Sequence, residues 1–136
     1  MNLIDEVYGE VILQAEHTEI EQYLAELKEK QLSAIEDIKN KISAYEQKKR
    51  REEAMYQSLS PFRKFFTGRP PAHHQAVENM VFVKERFKKI ELLKQLVRHI
   101  EALQAEMIEN SAKEEISLPL ELREEILLLQ KRRKET

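Results

Sequence analysis

Two long stretches of the sequence carry apolar residues at steps of three and four positions, and this spacing limits the fold more than any other feature. Such steps place the apolar side chains on one face of an α-helix, close to the heptad spacing of coiled coils. The first stripe contains Leu24, Leu27, Gln31, Ala34, Ile38, Ile42 and Tyr45. The second stripe contains Met80, Val83, Phe87, Ile90, Leu93, Val97, Ile100, Leu103 and Met107. We therefore predict two long helices, over residues 18–58 and 72–111.

The connection between these helices, residues 59–71, holds three of the chain's four prolines and one of its two glycines. Two helices of nearly equal length joined in this way predict an all-α fold, a long, coiled-coil-like antiparallel helical hairpin. Pairing of the same helices with a second chain would leave the same pattern, so the sequence does not separate the two arrangements. A chain of 136 residues is expected to form a single helical domain, residues 1–136.

Shorter apolar segments lie near both ends of the chain. Residues 3–16 have helical spacing, with Gly9 as a weak point, and we predict an N-terminal helical segment. The run VYGEVIL also resembles a strand, but no partner strand is evident. A C-terminal helix is predicted over residues 119–133, because Pro119 suits a first helical turn and the late bases suit the helix dipole.

The terminal segments are apolar on several sides, and a helix of that kind must be buried on several sides. They either complete a bundle within the chain or join a second subunit. We favour a homodimer, because long thin helices have a high ratio of surface to volume. The candidate self-association residues are Val7, Val11, Ile12, Ile126, Leu128 and Leu129.

The connection at 59–71 predicts a short helical turn of its own, capped by Ser60 and started by Pro61. Its phenylalanine rings share one face. They either cover the end of the hairpin core or face outward, where aromatic and basic side chains contact a protein, a nucleic acid or an acidic membrane. The candidate partner-binding residues are Phe62, Arg63, Lys64, Phe65, Phe66 and Arg69.

Charge is segregated along the chain although the net charge is only −2. Residues 46–100 carry six acids and thirteen bases, whereas residues 1–45 carry ten acids and four bases. The bases on either side of the turn form a basic collar, defined as Lys48, Lys49, Arg50, Arg51, Lys84, Arg86, Lys88 and Lys89. Such a collar is a solvated face, a docking surface for the acidic part of a second copy, or a site for an anionic partner.

Several classes of chemistry lack the residues that they need. The chain has no cysteine, which removes disulfides, thiolate metal sites and cysteine nucleophiles. It has no glycine-rich phosphate loop, nucleophile elbow or HExxH motif. His73 and His74 are adjacent and diverge on a helix, so they do not readily chelate one ion. We therefore predict no catalytic, cofactor-binding or metal-binding residues.

These patterns together predict a non-catalytic coiled-coil adaptor, regulator or scaffold that acts through protein–protein contacts and self-association. The alternative is a binder of an anionic surface, either nucleic acid or acidic membrane, through the basic collar and the phenylalanine turn. No apolar run approaches the ~20 residues of a membrane span. The acidic N-terminal segment also lacks the basic start of a signal peptide, so we expect a cytoplasmic protein.

Overall fold

The fold is described for residues 1–58 and 73–135 by a computed structural model. In chain order the elements are β1 (Asn2–Asp5), β2 (Val11–Gln14), α1 (His17–Ser58), α2 (His73–Glu109), β3 (Glu115–Leu118), a 3-10 turn (Leu120–Leu122) and α3 (Arg123–Glu135). The predicted phenylalanine turn over 59–71, with its six candidate partner-binding residues, lies outside the described residues.

Helices α1 and α2 pack against each other within one chain, which confirms the predicted helical hairpin. Near the start of α1, Lys28 Nζ lies 3.9 Å from Glu101 Oε1 of α2. Further along α1, the ring of Tyr45 stacks on Phe82 with 4.4 Å between centroids. Because the partner number falls as the α1 number rises, the two helices run antiparallel.

The predicted C-terminal helix is also present, as α3, but it begins at Arg123 and not at Pro119. Pro119 has an extended ψ of 137° and precedes the 3-10 turn. The first turn of α3 is acidic and its last turn is basic, as the helix dipole favours.

The N-terminal helix predicted over residues 3–16 is wrong, because this segment forms β1 and β2. β1 pairs antiparallel with β2 and parallel with β3, so the sheet order is β2-β1-β3. The partner that seemed to be missing for VYGEVIL, which contains β2, is therefore β1. The third strand follows more than a hundred residues later and pairs with β1. Gly9, the weak point of the supposed helix, lies in the β1–β2 connection with a φ of 70°, a conformation that glycine adopts at little cost.

The chain divides into two compact units. The first comprises Met1–Ala34 and Leu92–Thr136, and we call it the sheet unit because it contains all three described strands. The second comprises Ile35–Glu91, and we call it the hairpin unit.

The core of the sheet unit receives side chains from each of its described elements. Leu3 stands in register with Leu13 on one side and with Ile116 on the other, so one face of the sheet is apolar. Strand β3 adds Leu118 to this core. The helices and the 3-10 turn complete it with Ile20, Tyr23, Leu24, Leu27, Ile100, Leu103, Met107, Leu122 and Ile126. Full burial of one such aliphatic side chain stabilises the folded state by about 1.5–3 kcal/mol.

The apolar residues near the chain ends are partly buried within the chain, and burial within the chain was one of the two alternatives for them. Ile126 is completely buried in the core of the sheet unit. Ile12 and Leu129 are partly buried and pack against this core. Ile126 is therefore not available as a surface contact. Among the candidate self-association residues, Val7, Val11 and Leu128 remain exposed.

The side chain of Asp5, which is completely buried, organises the connection between β1 and β2. Its carboxylate accepts hydrogen bonds from the backbone N–H of Tyr8 and, at 3.1 Å, from that of Glu10. The hydrogen bond from Tyr8 is the largest influence on the pKa of Asp5 and lowers it below the ordinary value of 3.8, against the opposing effect of burial.

Replacement of Asp5 by asparagine is expected to destabilise the chain in a pH-dependent way. Because the pKa of Asp5 is lower in the folded state, its ionised form contributes stability above pH 3.8. This contribution is lost as the pH falls further, through the folded-state pKa. Urea unfolding at several pH values measures the free energy of unfolding of wild type and of Asp5→Asn. The difference between the two should be largest near neutral pH and should become smaller below pH 3.8. A difference in the free energy of unfolding that stays the same at every pH would contradict the role of the ionised Asp5 carboxylate. Asp37→Asn is the matched control, because Asp37 is exposed.

Candidate interaction surfaces

The hairpin unit has a small core within its described residues. Its buried apolar side chains are Ile35 and Ile42 of α1 and Ile90 of α2. Beyond Tyr45 the apolar stripe of α1 ends, and residues 46–55 are all exposed. A helix segment that is polar all round gains little from packing. This segment therefore offers surface for contacts more than it contributes to a core.

Arg86 is the one member of the basic collar whose guanidinium stacks on an aromatic ring in the described contacts. Its Cζ atom lies 3.4 Å from the ring centroid of Phe82, and its Nη1 atom donates to the Phe82 carbonyl at 3.5 Å. A guanidinium over an aromatic face is attracted by the ring quadrupole. Arg86 therefore holds the Tyr45–Phe82 stack and is half-buried, unlike the other collar residues.

The other seven collar residues are exposed, and their two runs are offset along the hairpin axis, with residues 48–51 further along α1 than the level of the α2 run. Since Tyr45 faces Phe82, Lys84 is level with residue 43 of α1. Lys48 then lies about 7.5 Å further along the axis, at 1.5 Å per residue. Residues 35–91 carry thirteen bases and eight acids. Ten of these bases and all eight acids lie in the described residues, so the described part of the hairpin unit has a net positive charge.

Large apolar side chains are exposed on this basic surface. Met80 and Phe87 of α2 are 64% and 52% exposed. They are seven residues apart on one face of the helix, and Lys84 lies between them at the spacing of neighbouring turns. We call Met80, Lys84 and Phe87 the Met80–Phe87 stripe. Exposed apolar groups rimmed by polar ones are typical of protein-binding surfaces.

The sequence stripe had assigned Met80 and Phe87 to the inner face of the hairpin, and the structure corrects this assignment. At 100° per residue both lie more than 50° to one side of Ile90, the buried residue that marks the inner face. Met80 and Phe87 are displaced around the helix axis to the same side of Ile90. This angular offset is the signal in the sequence that could have placed them at the edge of the apolar face.

In the sheet unit, Arg133 of the basic C-terminal run binds side chains of α1. Its Nη2 atom donates to Glu26 Oε1 at 2.9 Å, and its Nη1 atom donates to Gln22 Oε1 at 3.1 Å. Its Cζ atom lies 4.2 Å from the centroid of the Tyr23 ring. The hydrogen bond to Glu26 raises the pKa of Arg133 above its ordinary value. Arg133 therefore fastens α3 to α1, beside an open groove of about 650 Å³.

A second open groove, of about 730 Å³, lies between α2 and β3 in the sheet unit. We call it the β3 groove, and it is lined by Glu6, His99, Leu103, Glu106, Lys113, Glu114, Glu115, Ile116 and Ser117. At one end His99 Nε2 lies 4.0 Å from Glu6 Oε2, and at the other Lys113 pairs with Glu106. Its acidic members come from distant parts of the chain, so the sequence alone does not reveal it.

In the part of the chain that the structure describes, no group of three or more histidine, aspartate or glutamate side chains could hold a metal ion. None of the described helices combines the length and the apolar content that a membrane crossing requires.

Comparison of the chain with protein-family models, with curated proteins and with solved structures found no match.

Proposed function

We propose that this chain is a non-catalytic adaptor or scaffold of the cytoplasm that binds an acidic protein through its hairpin unit and self-associates as a homodimer. The binding surface in this proposal is the Met80–Phe87 stripe together with the exposed residues of the basic collar. The observation that carries the proposal is the exposure of two large apolar side chains on a positively charged helix surface.

The chemistry of this surface favours a protein partner. Apolar side chains supply the desolvated centre of a protein interface, and the charges around them steer the partner and fix its orientation. The exposed bases of the collar would repel a basic partner and attract an acidic one. Phe62, Arg63, Lys64, Phe65, Phe66 and Arg69 stay predicted contacts of the same partner.

Self-association has its own support in the charge distribution. The hairpin unit has five more bases than acids, whereas the sheet unit has ten bases and seventeen acids. Opposite charges on the two units allow the hairpin unit of one copy to meet the sheet unit of another. The exposed apolar residues Val7, Val11 and Leu128 of the sheet unit would add contacts to such a dimer.

The alternative is a binder of nucleic acid or acidic membrane, and the seven exposed bases of the collar favour it. Binding to a polyanion of this kind falls steeply as salt rises, because bound bases release counterions. It does not require the exposed Met80 and Phe87, which is why we rank it second.

The double variant Met80→Ser and Phe87→Ser is expected to lose the captured partner while the fold is retained, because both side chains are largely exposed. The chain would be co-expressed in two differently tagged copies in its source cells, captured by one tag and eluted with and without nuclease. Wild type should retain an acidic protein after nuclease treatment, together with the second tagged copy.

The matched control for this capture is Ile108→Ser, which removes an 81% exposed side chain from α2 in the sheet unit. This control should keep the acidic protein. Capture of the same proteins by wild type and by the double variant would contradict the proposed surface. Loss of all captured material on nuclease treatment would favour the alternative.

A further inference from the structure

Strand β3 lies at one edge of the described sheet, and its backbone groups alternate in direction. The Asn2 N–H donates to the Glu114 carbonyl at 2.7 Å, and the Glu6 N–H donates to the Leu118 carbonyl at 3.1 Å. Backbone groups of successive residues in a strand point to opposite sides. Ile116 and Leu118 therefore face β1, and the N–H and C=O groups of Glu115 and Ser117 point away from it.

This outward edge borders the β3 groove. Glu115 and Ser117 are exposed and line the groove together with Leu103 of α2. An edge strand with unpaired backbone groups is a template for a further strand. The groove therefore combines backbone donors and acceptors with an apolar floor formed by Leu103 and Ile116, both of which are buried.

The charge of the groove identifies what it would accept. Four of its lining residues are acids, namely Glu6, Glu106, Glu114 and Glu115. Its two basic groups lie near acids of the groove itself, since His99 is 4.0 Å from Glu6 and Lys113 pairs with Glu106. Glu114 and Glu115 are exposed at the strand. The field at this edge is therefore negative and favours a positively charged segment.

We propose that the β3 groove binds an extended basic peptide segment of another protein, which adds to β3 as a fourth strand. Main-chain hydrogen bonds to Glu115 and Ser117 would hold the segment, its alternate apolar side chains would lie on Leu103 and Ile116, and its bases would face Glu114 and Glu115. Strand addition of this kind takes affinity from the backbone and specificity from alternate side chains. This surface is distinct from the Met80–Phe87 stripe and does not depend on the function proposed for it.

Fluorescence anisotropy with the full chain tests this proposal. The probe is a short labelled peptide of alternating lysine and valine. Three comparison peptides are the same sequence N-methylated at its central residues, an alternating glutamate and valine peptide, and the lysine and valine peptide with its residues scrambled into blocks. The first peptide should bind, and binding should weaken as salt rises. The other three should bind about tenfold more weakly or not at all.

Two variants test whether the lysine and valine peptide binds at the β3 groove. Ser117→Pro removes an outward N–H but none of the hydrogen bonds to β1, and proline is tolerated on edge strands. Glu115→Lys reverses an exposed charge without altering the backbone. Each should weaken binding of the lysine and valine peptide about tenfold. Glu121→Lys is the control, because it makes the same charge change on the 3-10 turn, outside the groove.

Three results would overturn the proposal. Equal binding of the N-methylated peptide would mean that charge alone attracts it and that no strand is added. Binding unaffected by Glu115→Lys would place the peptide elsewhere, even if Ser117→Pro failed to fold. Absence of binding by the lysine and valine peptide at low salt would also exclude the groove as a strand acceptor.

Discussion

Replacement of Ile126 by alanine should lower the free energy of unfolding by about 2–5 kcal/mol, the cost of truncating a buried isoleucine. Ile126 is completely buried in the core of the sheet unit, where it is the fully buried side chain of α3. The truncation removes apolar contacts and leaves a cavity that the surrounding strands and helices can fill only in part. Urea unfolding, followed by circular dichroism, measures the loss.

The control for Ile126 lies two residues away on the same helix. Leu128 is 49% exposed, so Leu128→Ala should cost less than half as much as Ile126→Ala. Both variants make a similar change in helix propensity, because alanine has a higher helix propensity than isoleucine or leucine. If the two variants lost equal stability, α3 would not pack on the chain through Ile126, and the burial of the C-terminal apolar run within the chain would be contradicted.

Replacement of Glu125 by alanine should cost about 1–3 kcal/mol, because it leaves a buried amide without its acceptor. Gln31 is only 2% exposed, and its Nε2 donates to Glu125 Oε2. Gln31 is a polar residue in the apolar stripe of α1. The hydrogen bond to Glu125 of α3 satisfies its buried amide. Thermal or urea unfolding of the variant measures the cost.

A second substitution separates the orphaned amide from other effects at this site. If Gln31→Leu is combined with Glu125→Ala, no buried donor is left unpaired, and much of the lost stability should return. Glu124→Ala is the control for the charge, since Glu124 is the exposed neighbour in the same helical turn. A double variant no more stable than Glu125→Ala alone would contradict the role assigned to Gln31.

The helical part of the fold could be predicted because its information is local. Steps of three and four residues run through α1 as far as Tyr45 and through α2 from Met80 to Met107, and three of the four prolines fall between the two helices. The hairpin and the two long helices could be predicted without knowledge of distant contacts. Within the described residues, α1 spans His17–Ser58 and α2 spans His73–Glu109.

The sheet could not be predicted in the same way, because its pairing is not local. β1 meets β3 across both long helices, and a four-residue strand seen alone resembles part of a helix. The alternation in Glu115-Ile116-Ser117-Leu118, with buried residues at the second and fourth positions, was the available signal. A strand at that position would have given β1 a second partner, beside the β2 strand that VYGEVIL contributes.

The candidate surfaces follow the same division between local and distant information. The basic collar is a local feature and was defined from the sequence alone. The exposure of Met80 and Phe87 depends on which face of α2 meets α1, and the β3 groove depends on residues from three separate segments. For Met80 and Phe87 the sequence offers only their angular offset from Ile90, and the β3 groove emerges only from the tertiary structure.

The pairing of β1 with β3 is the central claim of this account, because it joins the N-terminal and C-terminal segments in one sheet and forms one wall of the β3 groove. Residue-resolved amide hydrogen exchange of the full chain tests it most directly. We expect the Ile116 and Leu118 amides, which face β1, to be protected, and the Glu115 and Ser117 amides, which face outward, to exchange rapidly. Rapid exchange at all four residues would contradict the pairing, and with it the edge on which the groove depends.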